Sequence, residues 1–198
     1  LTLVAKTAMT GKSLEHSIEV AAELCVNAVI DAGGDIDRVR VICQPGGSVE
    51  ESHLFPGVIL HKEFALPFDE SHSGALLVNT GLQPDKMDDK VSVNFQSADE
   101  AKQFFSDRNV GDLLERAQII VKAMPTGGIL FCRDGVAENV VKFLADNNIP
   151  IVNRVSESDM LTLSRLLEAP VHQTVGGEST METGDAMSIR QETIGDMD

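Results

Sequence analysis

The chain has no tryptophan and no tyrosine, so phenylalanine, with eight copies, is its only large aromatic residue. It is therefore nearly silent at 280 nm, and its unfolding has to be followed through the backbone by far-UV dichroism. Cysteine is scarce too: Cys25, Cys43 and Cys132 are odd in number and far apart, which excludes a disulfide framework. Each lies in an apolar segment and reads as a reduced core thiol. Positive charge is short, with 16 Lys and Arg against 31 Asp and Glu and a net charge of -15. A nucleic-acid backbone would be repelled, so nucleic acid is excluded as a partner. No run approaches the roughly 18 apolar residues of a membrane helix, and no charged-then-apolar leader opens the chain. No membrane partner is expected, and the protein reads as cytoplasmic. With Leu1 in place of an initiator Met, and an end at TIGDMD, it also reads as an excised fragment. The acidic residues are spread along the chain rather than gathered in a tail, a surface suited to a salty cytosol where self-repulsion is screened.

What is present divides into patterned segments. A chain of 198 residues can hold one cored domain and a smaller appendage. Residues 13–31, SLEHSIEVAAELCVNAVID, set Leu14, Ile18, Ala21, Cys25 and Ala28 on one helical face before Gly33-Gly34. RVRVIC predicts a short strand and GVILHKEF an extended one, with Pro45-Gly46-Gly47 between them. ALLVN and the alternating KVSVNF, with Val91, Val93 and Phe95 on one side, predict two more. At Ser97 the period changes: SADE is a capping-box pattern, with Glu100 able to reach back to the start of a helix. That helix is expected to reach about Ala123, broken near Asn109 to Gly111, before Pro125 and Gly127-Gly128. ILFC, DGVAENVVKFLADNN and IPIVN then read as strand, helix, strand, a right-handed parallel unit with Asp134 as helix cap. SESDMLTLSRLLEA is a further helix capped through Ser156 and Asp159, and VHQTV another strand. The fold class is α/β: a mixed sheet flanked by helices over about 37–175, with a second, incomplete domain built from both ends of the chain.

Several stretches invite a chemical reading. Residues 46–72, GGSVEESHLFPGVILHKEFALPFDESH, hold His53, His61 and His72 beside five carboxylates. On a strand His61 and Glu63 would share a face, but no HxH, HExxH or facial-triad spacing occurs, and any zinc site would need ligands gathered from loops. Polar residues of an exposed sheet edge explain the cluster as well, and such charges resist strand-to-strand aggregation. The enzymatic alternative, a metal-assisted hydrolase using His53, His61 and His72, stays open here. TGKS at residues 10–13 resembles the end of a phosphate loop, but the required earlier glycine is Lys6, and a helix start capped by Ser13 accounts for it. The glycine pairs lie where elements must stop, and none forms GxGxxG. There is no GxSxG, Cys132 has no basic partner in sequence, and Asp134, although at a strand's carboxyl end, is explained by capping. No catalytic residue, bound cofactor or metal is assigned.

The order of these pieces is similar to that of the group II chaperonins, the thermosome and its eukaryotic cytosolic relatives. GGSVEESHLFPGVILHKEF resembles the family's glycine and acidic stretch before a G-V-hydrophobic-hydrophobic-x-K strand, here Gly57, Val58, Ile59, Leu60 and Lys62. ILFCRDGVAENVVKFLADNNI resembles the strand and helix after the lid protrusion. NRVSESDMLTLSRLLEA, with Arg154, Val155, Ser158, Asp159, Met160 and Leu163, resembles the next helix, and AMTGKSLEHSIEVAAELCVNAVI the intermediate-domain helix. The chain departs from the family at LPFDESHS, where a basic M-P-K-K loop is usual, and at Asn153-Arg154, where paired arginines are usual. The resemblance implies part of an intermediate domain in residues 1–37, and an apical, substrate-binding domain in residues 38–175 with a helical lid protrusion at about 97–116. It implies a return segment in residues 176–198. It further implies an archaeal, salt-adapted subunit of an ATP-dependent double ring that binds non-native proteins, with the ATP and Mg site outside this chain. A chaperonin-like interaction module without ATP cycling is the alternative. The client-facing residues it implies are Phe64, Leu66 and Phe68 in a loop, Phe104 and Phe105 in the protrusion, and Met160, Leu163 and Leu167 on the last helix. Independently of the family, Phe104 and Phe105 are adjacent, and helix positions about 100° apart cannot both occupy one narrow buried stripe.

Overall fold

The computed structural model describes residues 1–43, 45–67, 74–84, 98–124, 128–176, 181–185 and 188–191, with residue 15 and residues 98–110 described by their backbone alone. The expected KVSVNF strand, the Ser97 capping box and the Pro125 stop lie outside these residues. The chain forms two compact units, which meet in sequence between Val58 and Ile59.

In the first unit, α1 (Thr2–Met9) and α2 (Ile18–Asp31) are joined by a turn at Gly11, whose φ of 74° is the left-handed region that glycine favours, and a short 3-10 turn. LTLVAKTAM is thus helical from Thr2 to Met9. Ser13 is not a cap, because α2 begins only at Ile18, and the TGKS stretch is the joint between helices. Ala21 and Ala22 are buried in α2, whereas Cys25 is exposed, as is Cys43. The expectation of core thiols fails for both: burial on α2 is confined to Ala21 and Ala22 and does not reach Cys25, and Cys43 lies in a segment without regular structure. RVRVIC forms no strand, and residues 38–58 belong to this unit rather than to the second. One tie is the Ser17 hydroxyl, which donates to Glu50 Oε1 at 2.5 Å and holds that carboxyl below its ordinary pKa.

The second unit is a doubly wound sheet. Its strands β1 (Ala75–Val78), β2 (Ile129–Cys132), β3 (Ile151–Val152) and β4 (Val171–His172) are parallel and lie in the order β3-β2-β1-β4. ALLV and ILFC are continuous apolar runs because strands covered on both faces have no polar side to show. Right-handed crossovers explain the layers. From β1 to β2 to β3 the chain moves one way, through α3 (Ala98–Ala123) and α4 (Glu138–Asp146), which share one face. From β3 to β4 it returns past β2 and β1, so α5 (Glu157–Leu167) falls on the other.

Side-chain parity sorts the core accordingly. Leu76, Val78 and Leu130 pack with Leu113, Ala117 and Ile120 of α3 and Val140 and Leu144 of α4. Ala75, Leu77, Ile129 and Phe131 pack with Met160, Leu163 and Leu167 of α5. The helix α3 runs unbroken through Asn109 to Gly111, so the expected break is absent. Asp134 does not cap α4, whose N-cap is Ala137; the Asp134 carbonyl instead accepts from the Arg154 amide at 3.2 Å.

GVILHKEF is not a strand either, yet its end covers the outer edge of β3: the Ala65 amide donates to the Ile151 carbonyl at 2.8 Å, while Leu60 and Phe64 pack against the α5 side of the sheet. An antiparallel bridge between Ala75 and Gly184 extends the other side of β1 beyond β4. None of the helices, among the described residues, is long and apolar enough to cross a membrane.

Candidate functional site

The helix α5 is defined at both ends by its own residues. Ser156 Oγ accepts from the Asp159 amide at 3.1 Å, the cap expected from the SESD pattern. Glu168 closes the last turn in a left-handed conformation at φ 50°, and the Ser164 hydroxyl donates to the Ala169 carbonyl at 2.6 Å. Between these ends, Met160, Leu163 and Leu167 are 2%, 5% and 8% exposed. They bind the helix to the sheet and are not presented to solvent. Two other leucines are presented. Leu161 is 53% and Leu166 52% exposed, on either side of the solvent face and roughly 140° apart at about 100° per residue. The sequence carried a signal for them: once 160, 163 and 167 define one stripe, apolar residues at 161 and 166 fall outside it.

The loop candidates divide. Phe64 is half-buried, its ring on the α5-side core and its amide donating to Gln191 Oε1 at 3.1 Å, while Leu66 remains exposed. Phe68 lies outside the described residues. Phe104 and Phe105 lie in α3, where only the backbone is described.

The carboxyl ends of the strands, where ligands gather in such sheets, carry polar side chains bonded to one another. Asn79 Nδ2 donates to Gln173 Oε1 at 2.7 Å, and Arg133 Nη1 donates to Asn79 Oδ1 at 3.1 Å. The Arg133 guanidinium also faces Glu157 at 3.6 Å. Cys132 donates its Sγ hydrogen to the Thr80 carbonyl at 2.9 Å, and burial pushes its thiol up to about 11, the opposite of an activated nucleophile. His61 is exposed, His53 Nδ1 lies 3.3 Å from the Glu51 carbonyl, and His72 is outside the described residues. Among the described residues no three His, Cys, Asp or Glu are placed to hold a metal.

The comparisons with known proteins agree with this architecture. Residues 1–198 match the TCP-1/cpn60 chaperonin family. The chain is 30% identical over 201 residues to thermosome subunit alpha of Halobacterium salinarum, and 28% identical over 204 residues to thermosome subunit beta of Archaeoglobus fulgidus. These alignments cover 97% and 98% of the chain but only 35% and 37% of the relatives, so it spans little more than a third of their length. The open-state monomer of a group II chaperonin from Methanococcoides burtonii shares the fold, with a TM-score of 0.72 at 21% identity over 98% of this chain and 44% of that one. The chain belongs to the TCP-1/cpn60 chaperonin family.

Proposed function

We propose that the chain is the client-binding apical domain of an ATP-driven ring chaperonin subunit, joined to part of its intermediate domain. Exposed Leu161 and Leu166 on a helix locked from beneath by Met160, Leu163 and Leu167 carry this reading. A non-native protein differs from a folded one in displaying apolar surface. Burial worth about 25 cal/mol per Å² is non-directional, so a rigid helix offering apolar shoulders binds many such segments without reading their sequence. Exposed Leu66 in the loop beside β3 extends the apolar surface of this unit, and the first half of α3 serves as the lid protrusion. The chain itself catalyses nothing. ATP, with Mg, is bound and hydrolysed by the remainder of the subunit, and the subunit works in a double ring with its fellows in the cytoplasm.

The test is retardation of aggregation of a chemically unfolded client by the 198-residue chain. The chain should retard it, should not hydrolyse ATP, and should lose the effect on Leu161→Ser with Leu166→Ser while keeping its far-UV dichroism. A chain without effect on the client, or one that turns over ATP in proportion to its concentration, would overturn the proposal.

A further inference from the structure

We infer that Gly184 is a positioning residue for the client-facing end of α5, holding Leu166 in place by supporting the helix's last turn from its buried side. The inference rests on the client-binding reading of α5 and adds to it a residue that touches no client. The carboxyl end of α5 lacks the usual means of holding itself. Many helices stop on a glycine in the left-handed region, but here Glu168 occupies that region at φ 50°, where a side chain is disfavoured. The local closure is the Ser164 hydroxyl on the Ala169 carbonyl at 2.6 Å and the Ala169 amide on the Ser164 carbonyl at 3.1 Å. Further support comes from a segment distant in sequence.

The Ala75 amide donates to the Gly184 carbonyl at 2.7 Å, and the Gly184 amide donates to the Ala75 carbonyl at 2.8 Å. Gly184 is thereby pinned to β1, an interior strand of the sheet. His72 is not involved; His172 Nε2, 3.0 Å from the Glu182 carbonyl, ties the chain just before it to β4. Against this fixed backbone α5 comes so close that a Cβ on Gly184 would lie 2.5 Å from the Leu167 carbonyl oxygen, 2.7 Å from Ala169 Cβ and 2.8 Å from Leu167 Cβ. None of these atoms is the far end of a flexible side chain, so a methyl group at 184 has to separate the two backbones. The backbone held to β1 by two hydrogen bonds yields less, so the last turn of α5 lifts and carries Leu166 with it. Leu161 lies about a turn and a half away, close to the Ser156 cap that fixes the other end, and stays.

The test uses the 198-residue chain and a dye-labelled unstructured peptide of alternating Leu and Ser, measured by fluorescence anisotropy in double-mutant cycles. In the parent chain Leu161→Ser and Leu166→Ser should each weaken binding about fivefold, the scale of burying about half a leucine side chain. Gly184→Ala should weaken binding by a similar factor. In that background Leu166→Ser should add little, whereas Leu161→Ser should still weaken binding about fivefold. A general loss of stability would not separate the two leucines in this way. Far-UV dichroism checks that Gly184→Ala is folded; if it is not, Ala169→Gly, which opens the same contact from the α5 side by deleting a Cβ, takes its place with the same separation expected. Equal costs of Leu161→Ser and Leu166→Ser in the variant background overturn the positioning role and leave the client-binding reading standing. Leucine replacements without effect in the parent chain overturn both.

Discussion

Replacing Leu163 by Ala should unfold the second unit far more readily than replacing Leu161 by Ala, although the two leucines are two residues apart on one helix. Leu163 is 5% exposed and packs among Leu77, Phe131 and Met160, whereas Leu161 is 53% exposed. Truncating a buried leucine removes its transfer free energy and leaves a cavity, a loss of about 3 kcal/mol within the usual range of roughly 2–5. Truncating the exposed one should change stability by no more than about 0.5 kcal/mol. With a urea slope of about 2 kcal/mol/M, the first loss moves the unfolding midpoint down by about 1.5 M and the second by about 0.25 M at most. Far-UV dichroism is the proper probe, since the chain has neither Trp nor Tyr. Client binding should respond in the opposite sense, spared by Leu163→Ala wherever the chain is still folded and weakened by Leu161→Ala. Equal midpoint shifts for the two variants, or client binding lost only with Leu163, would refute the assignment of faces on α5 and with it the proposed surface.

Other consequences follow from single positions. Thiol titration of the native chain should find Cys25 and Cys43 fast and Cys132 slow, with all three equal in denaturant, because Cys132 alone is buried. The Cys132 thiol is shifted from its ordinary 9.0 to about 11, so the folded state holds its proton more tightly than the unfolded one. The associated stability is intact below pH 9 and is lost as pH rises toward 11; by pH 10.5 the chain should lose on the order of 2 kcal/mol relative to pH 8, and Cys132→Ala should not. Gly128 has φ 153° and a Cβ there would lie 2.4 Å from the Gly74 carbonyl oxygen, so Gly128→Ala should cost about 1–3 kcal/mol in urea denaturation. Lowering the salt should lower the melting temperature if dispersed acidic charge repels itself, and a melting temperature indifferent to salt would refute that account.

Elements whose causes are local were legible before any coordinates. ALLV and ILFC are central strands because they are apolar throughout, α4 and α5 follow the helical period, and Ser156 caps α5 from three residues away. The chaperonin resemblance, carried by the order of such pieces, holds for the same reason. RVRVIC and GVILHKEF look like strands but become none, since a strand needs a partner and the backbone bond just after the second, from Ala65 to Ile151, does not make a ladder. Asp134 had the composition of a cap without the position of one, and Gly184 gave no sign that a Cβ would lie 2.5 Å from the Leu167 carbonyl oxygen.

The composition determined by itself that the chain is strongly acidic, and the periodicity determined that α5 has two faces. Which face meets the sheet depends on where the return crossover from β3 to β4 lays the helix, so that Met160, Leu163 and Leu167 are covered and Leu161 and Leu166 are not. Burial is a property of neighbours distant in sequence, and only the tertiary structure brings them together.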